Sequence, residues 1–292
     1  VQTTFWLVVL GVFLAGYLVL EGADFGAGVF LAVHGRRDEA GRDLTVRAIA
    51  PFFLANEVWL VAAIGVVVGA FPALDSTVVA RLYPAFGLIL VAWLVRDAGL
   101  WFRRHGGAAW RWRWDVAIAV ASALLPFGWG VVIGDIAAPG GAVFGLGPVL
   151  CGLALAGFCV LHGTAYLGLR LGPTVGLRRI GIVLSLPVCG AVVLAGVVLA
   201  MTGVHWPLWV LGAAMVVVAL AIRFTGALIG TSAVLLGVVP LAVLPGFPAV
   251  PTDTATLGVM TPLFLAVLPV MIAGQAGMWW LNRRTAGAGS YF

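Results

Sequence analysis

Apolar residues fall in long runs along this chain, each about as long as a bilayer crossing, which for a helix takes about 20 apolar residues. The first run extends from about Phe5 to Val33, the second from Pro51 to about Phe71, the third from about Val78 to Phe102 and the fourth from Trp114 to about Gly134. Further runs cover about Pro148–Leu169, Ile180–Met201, Pro207–Ile222, Thr225–Leu244 and Met260–Leu281. The pattern predicts an all-α integral membrane protein, a single polytopic domain with about nine transmembrane helices. His34–Arg47, the most charged stretch, and Arg103–Arg113 read as basic loops, while Pro/Gly-rich and Pro/Thr-rich connections follow Asp135 and Leu244.

Polar residues inside the runs are the candidate chemistry, because a charge at mid-membrane costs roughly 2.5–3.5 kcal/mol on insertion scales. Glu21 and Asp24 stand on one face of the first helix. Gly22 and Gly26 form a small-xxx-small pair that lets another helix pack beside them. Glu57 interrupts the second run, Arg96 and Asp97 the third, and His162 the fifth, while Asp115 sits at the inner end of the fourth. At 1.5 Å per residue, Glu57 and Arg96 lie about 9 Å from the cytoplasmic ends of their helices, His162 about 12 Å, Asp24 about 15 Å and Glu21 about 20 Å. This is a ladder from the inner surface to the midplane. Pairing of Arg96 with Glu57 or Asp24 would lower the burial cost of both, and the remaining carboxylates could then exchange protons. Asp97 points about 100° away from Arg96 around the helix, so at most one of the two is expected to face a given partner. Asp115 is expected within a turn of the headgroups, where a charge is cheap. The bland alternative is that these groups only hold helices in register.

Composition agrees with the pattern. The 292 residues are 63% hydrophobic and 9% charged, with a mean hydropathy of +1.14, which excludes a soluble globular domain. The net charge of +5 comes from arginine alone, there being no lysine, and the arginines lie in short loops. Arg36, Arg37, Arg42, Arg47, Arg103, Arg104, Arg111, Arg113, Arg170, Arg178, Arg179, Arg223, Arg283 and Arg284 fall on one side of the predicted topology, and the loops of the other side hold only Arg81. The positive-inside rule therefore predicts a cytoplasmic C-terminus and an outside N-terminus. It also explains the basic balance without nucleic acid. The first run is longer than a leader's apolar region and no basic residue precedes it, which argues against a cleavable signal.

Cys151, Cys159 and Cys189 lie in apolar runs with no metal or disulfide spacing and read as buried hydrophobes. His162 is a candidate for haem ligation, a proton relay or a bond between helices. A bis-His haem needs a second histidine at its depth, whereas His34, His105 and His205 lie in or beside loops. Most tryptophans cluster near the ends of runs, as Trp101, Trp110, Trp112, Trp114, Trp206, Trp209, Trp279 and Trp280 do, which suits interfacial anchoring. No phosphate loop, metal-ligand spacing or nucleophile triad is present, so any redox centre is expected on another polypeptide.

Several stretches together resemble one family. Glu21-Gly-Ala-Asp-Phe-Gly-Ala-Gly28 is similar to the Asp-Gly-Phe-Asp-Leu-Gly-Val-Gly of subunit II of the cytochrome bd-type quinol oxidases. Asn56-Glu-Val-Trp-Leu60 with Ala70-Phe-Pro72 is similar to that family's Gly-Asn-Glu-Val-Trp-Leu and following Ala-Phe-Pro. Arg96 to Arg103 loosely resembles its Arg-Gly-Val-Ala-Phe-Glu-Phe-Arg, and Trp114-Asp115 and Leu161-His-Gly163 resemble its Trp-Asp and Leu-His-Gly. These landmarks keep the family's order over roughly the first 165 residues.

The resemblance implies two four-helix bundles plus one peripheral helix, the first bundle over about 5–134, the second over about 148–244 and the last helix over about 260–281. It implies a haem-free partner of subunit I, which carries haem b, haem d and the quinol site. The implied complex sits in the bacterial cell membrane, oxidises quinol from the quinone pool and reduces oxygen to water. It takes the protons for that water from the cytoplasm and so generates a proton-motive force. In some members an acid just before the Gly-Asn pair serves the proton route; here Leu54 stands there, and Trp101 replaces the acid of Phe-Glu-Phe-Arg. Either Glu21 or Glu57 substitutes, or the route runs wholly through subunit I. Small accessory subunits are left open. The competing classes are a proton-coupled transporter, against which the later runs offer no matching polar break, and a purely structural scaffold.

Overall fold

The computed structural model describes residues 2–172, 175–201, 230–232 and 250–282. The described helices are α1 (Gln2–Val33), α2 (Glu39–Ile49), α3 (Phe53–Ala70), α4 (Tyr83–Phe102), α5 (Ala108–Ala137), α6 (Leu146–Leu171), α7 (Val175–Met201) and α8 (Thr254–Leu281). Among the described residues, six helical stretches are long and apolar enough to cross a membrane: α1, α3, α4 with its 3-10 extension to His105, α5, α6 and α8. Their backbones satisfy their own hydrogen bonds, as hydrocarbon demands. The outward faces stay apolar, with Val58, Val61, Ile64 and Val68 of α3 and Leu90, Val91 and Leu94 of α4 all exposed. The seventh and eighth runs, with Arg223, His205, Trp206 and Trp209, lie outside the described residues, as do Arg283 and Arg284.

α1 is the axis of the fold, packing on α2, α3, α5 and α6. A side chain at Gly26 would run into the carbonyl of Cys159, and one at Gly163 into the backbone of Gly26 and Ala27. α1 and α6 therefore cross backbone to backbone, as the small residues beside the acids suggested. α5 packs between α4 and α6, and α6 against α7. α8 rests mainly on α3 and buries only Leu257. Phe264 packs edge-on against Trp6 at 5.0 Å, and Trp279 against Phe52 at 4.8 Å, which ties α8 to the bundle in each half of the membrane. Two apolar clusters fill the interior. One surrounds Trp6, Phe13, Leu60 and Leu125, and the other Phe30, Ile49, Phe52 and Tyr166. They meet along α1 at the depth of Glu21 and Asp24.

The two stretches read as basic loops are largely helical. α2 is an amphipathic helix capped by Asp38, whose carboxylate accepts from the Gly41 N–H. It buries Arg42, Thr45, Val46 and Ile49, a helical spacing hidden among charges. Arg103–His105 is a single 3-10 turn and α5 begins at Ala108, so Trp110, Arg111, Trp112 and Arg113 belong to the helix. The third run is broken by a π-helical turn over Asp75–Val79, and its helix starts at Tyr83 with Pro84 in the first turn. Asp135 lies within α5 and pairs with Arg81 at 2.5 Å, joining the end of α5 to the segment just before α4.

Candidate functional site

Three helices converge on one guanidinium. Arg96 of α4, 1% exposed, lies 3.2 Å from Glu21 of α1, 3.7 Å from Glu57 of α3 and 3.5 Å from Asp97 beside it. The rings of Phe25 and Phe53 stand 5.2 Å and 6.0 Å from the guanidinium carbon, so its flat faces meet π-clouds while its edges meet carboxylates. Trp93, one turn from Asp97 on α4, donates its indole N–H to Glu57 Oε1 at 2.7 Å. Asp24, three residues along α1 from Glu21, is held by Asn56 of α3, whose Nδ2 donates to Asp24 Oδ2 at 2.8 Å.

The cluster holds four carboxyl groups and one arginine. Neither oxygen of Glu21 nor Oδ1 of Asp24 has a hydrogen-bond donor among the described residues. Buried carboxyl oxygens in that condition are places where a proton or a water sits. A single guanidinium balances a single negative charge, and the remainder is neutralised most cheaply by protons in a low-dielectric interior.

Asp97 and Asp115 differ from expectation. The length and several donors of the arginine side chain let Arg96 reach its chain neighbour Asp97 while also facing Glu21, so the 100° offset does not separate them. Asp115 is fully buried and belongs to a second network at the end of the bundle where α2 lies. It accepts from Arg42 Nε at 2.7 Å and from Arg103 Nε at 2.8 Å, and Arg103 also donates to Asp43 at 2.9 Å. The charge is affordable because two guanidinium groups surround it, and solvent has no part in that. Arg111 extends the clasp to Glu39 of α2 at 2.7 Å.

His162 stands apart from both networks, across α1. A carbonyl can only accept, so Nε2 carries the hydrogen and donates to the Val19 carbonyl at 2.8 Å, which leaves Nδ1 to accept from the Thr231 hydroxyl at 2.7 Å. The arrangement is a bond between helices. The structure thus brings together Glu21, Asp24, Glu57, Arg96 and Asp97, and keeps Asp115 and His162 out. Asn56, Trp93 and Gln275 in the first network and Arg42, Asp43 and Arg103 in the second escaped the sequence reading. Polar amides within apolar runs were the available signal for Asn56 and Gln275.

Fold and site define a polytopic helical membrane protein built around an intramembrane carboxylate–arginine cluster. The model of the family described as cytochrome bd terminal oxidase subunit II matches residues 2–282, and the chain belongs to that family. It is 28% identical over 178 residues to cytochrome bd ubiquinol oxidase subunit 2 of Bacillus subtilis (strain 168), covering 56% of this chain and 52% of that protein. It is 30% identical over 132 residues to cytochrome bd-I ubiquinol oxidase subunit 2 of Escherichia coli (strain K12), covering 45% of this chain and 35% of that protein. The chain thus spans about half the length, or less, of the curated relatives it matches. A chain of the solved structure of bd oxidase from Geobacillus thermodenitrificans superposes with a TM-score of 0.79 at 17% identity, over 96% of this chain and 98% of that one, and shares the fold.

Proposed function

We propose that this chain is the haem-free second subunit of a quinol:oxygen oxidoreductase of the respiratory chain, paired with a haem-bearing subunit I in a bacterial cell membrane. The family match over residues 2–282 carries this reading. In it, haem b, haem d and the quinol site belong to the partner, and this chain is not catalytic alone. The engagement of both His162 nitrogens supports the haem-free assignment, since a haem iron needs one of them. The arginine-rich ends of the described helices support an inner surface at the α2 side, hence an outside N-terminus and a cytoplasmic C-terminus. A single polytopic domain of two four-helix bundles and a last helix is part of the same reading.

The second part of the proposal concerns protons. The cluster of Glu21, Asp24, Glu57, Arg96 and Asp97 takes up protons from the cytoplasmic side and passes them towards the subunit that reduces oxygen. Its support is the convergence of three carboxyl groups on one arginine with a fourth, Asp24, one turn from Glu21 on α1, Glu57 and Asp97 lying at the partly accessible edge and Glu21 and Asp24 sealed inside. The test is to purify the complex with Glu57→Gln or Asp24→Asn and compare haem content with quinol-driven oxygen consumption. Turnover per haem is expected to fall at least about tenfold at unchanged haem content, short of a full general acid–base contribution of about 10²–10⁴ because the other carboxyl groups of the cluster remain. Equal loss of haem content and turnover would assign the cluster to packing. A purified complex without haem absorbance would overturn the oxidase reading itself.

A further inference from the structure

Gln275 is the one amide or ionisable side chain within α8, a helix whose surface is otherwise apolar or small and almost wholly exposed. An amide placed in hydrocarbon carries a desolvation cost unless it is bonded. Gln275 Nε2 donates to Asn56 Oδ1 at 2.8 Å, and Asn56 Nδ2 donates to Asp24 Oδ2 at 2.8 Å. An amide has one accepting and one donating end, so the donation from α8 decides which end Asn56 turns towards α1. The chain of bonds is therefore directed from α8 through α3 to the carboxyl group. Its result is an unequal Asp24, with Oδ2 occupied and Oδ1 without a hydrogen-bond partner among the described residues.

We propose that Gln275 and Asn56 are positioning residues that hold Asp24 with Oδ2 engaged and Oδ1 open to receive a proton, so that the last helix sets the geometry of the cluster. This rests on the proton-uptake reading given above. Among the described residues, the charged and titratable groups around Asp24 are Glu21 on its own helix, Glu57 on α3, Arg96 on α4, and Tyr166 and Arg170 on α6. None of them lies on α8, so a change at Gln275 leaves the charges around Asp24 untouched and alters only the bond that reaches it through Asn56.

The test uses the purified two-subunit complex carrying Gln275→Leu, or Gln275→Met as a second variant of similar length, with haem content as the measure of assembly. Infrared difference spectra report the Asp24 carboxyl or carboxylate band, identified as the band lost in Asp24→Asn. The expected result is a displaced Asp24 band, turnover lowered about threefold to tenfold, and no further loss when Gln275→Leu is added to Asp24→Asn or to Asn56→Leu, because residues acting through one another are not additive. An Asp24 band that stays in place overturns the proposal, whatever turnover does. So does a Gln275→Leu loss that appears in full on top of Asp24→Asn. Failure of the proton-uptake reading looks different: Asp24→Asn then keeps full turnover, while a displaced band in Gln275→Leu still supports the positioning of Asp24.

Discussion

Among the described residues two buried ionic networks stand out, one joining α2, the 3-10 turn after α4 and α5, the other joining α1, α3 and α4, and they are built on opposite principles. At the α2 end of the bundle, Arg42 and Arg103 face Asp115 and Asp43, two positive charges against two negative, with direct hydrogen bonds between 2.7 Å and 3.2 Å. Deeper in the membrane, one arginine contacts three carboxyl groups at 3.2 Å to 3.7 Å, Asp24 adds a fourth beside Glu21, and several carboxyl oxygens lack donors among the described residues. The first network is balanced and saturated, so it is suited to fixing α2, α4 and α5 against each other. The second is unbalanced and unsaturated, the condition on which the proposed exchange of protons rests. Burial alone does not mark a functional acid. The ratio of charges and the unfilled oxygens do.

That contrast is open to attack at each end. Asp115→Leu should have the largest effect, because it leaves Arg42 and Arg103 buried without their shared partner. A loss of about 3–5 kcal/mol is expected, read as lower yield and melting temperature of the complex, while turnover per assembled haem stays normal. Reduced turnover in fully assembled Asp115→Leu would erase the distinction. Gly163→Ala tests the scaffold between the networks: its methyl group would meet the backbone of Gly26 and Ala27, at a cost of about 1–3 kcal/mol in thermal unfolding. Glu21→Gln should do the reverse of Asp115→Leu. Turnover is expected to drop about tenfold, equivalent to about 1.4 kcal/mol on the barrier, with melting displaced less than in Gly163→Ala.

The smallest effect belongs to the capping residue of α2. The Gly41 N–H, and after it the His34 side chain, hold the Asp38 carboxyl below the usual aspartate range. Its folded value lies below its unfolded one, so its contribution is complete above about pH 4 and fades as pH falls through the lower folded value. Asp38→Ala should therefore cost about 0.5–1 kcal/mol, uniform from roughly pH 6 to pH 9 and vanishing in acid. The group is solvent-exposed, so added salt should shrink the His34 part of this difference.

Several features were legible before any coordinates. The runs that became α1, α3, α5, α6 and α8 are long, apolar and bounded by arginine, tryptophan or proline; α1, α3 and α6 lie within about three residues of their expected limits, whereas α5 and α8 begin at Ala108 and Thr254, about six residues before theirs. Asp135 belongs to α5 and closes nothing, because thirty residues of helix fit where twenty would span. α2 was illegible as a helix because its apolar positions are few and its charged ones are spent inward on Asp115 and outward on water. Asp24, Glu57 and Arg96 could be placed at matching depth from rise per residue alone. Their partners could not, because depth is one coordinate and contact needs three.

Composition and spacing, taken alone, determined that the chain crosses a membrane repeatedly, which end is basic, and which carboxyl groups are too deep to be solvated. These are sums over neighbouring residues, and hydrophobic burial is additive enough to be read in one dimension. Tertiary structure alone decided that Arg96 selects Glu21 along with Glu57, that Asp115 answers to Arg42 and Arg103, and that Gln275 reaches Asp24 through Asn56. Those choices join residues up to 219 positions apart, and a hydrogen bond exists only where two helices bring a donor and an acceptor within about 3 Å at the right angle.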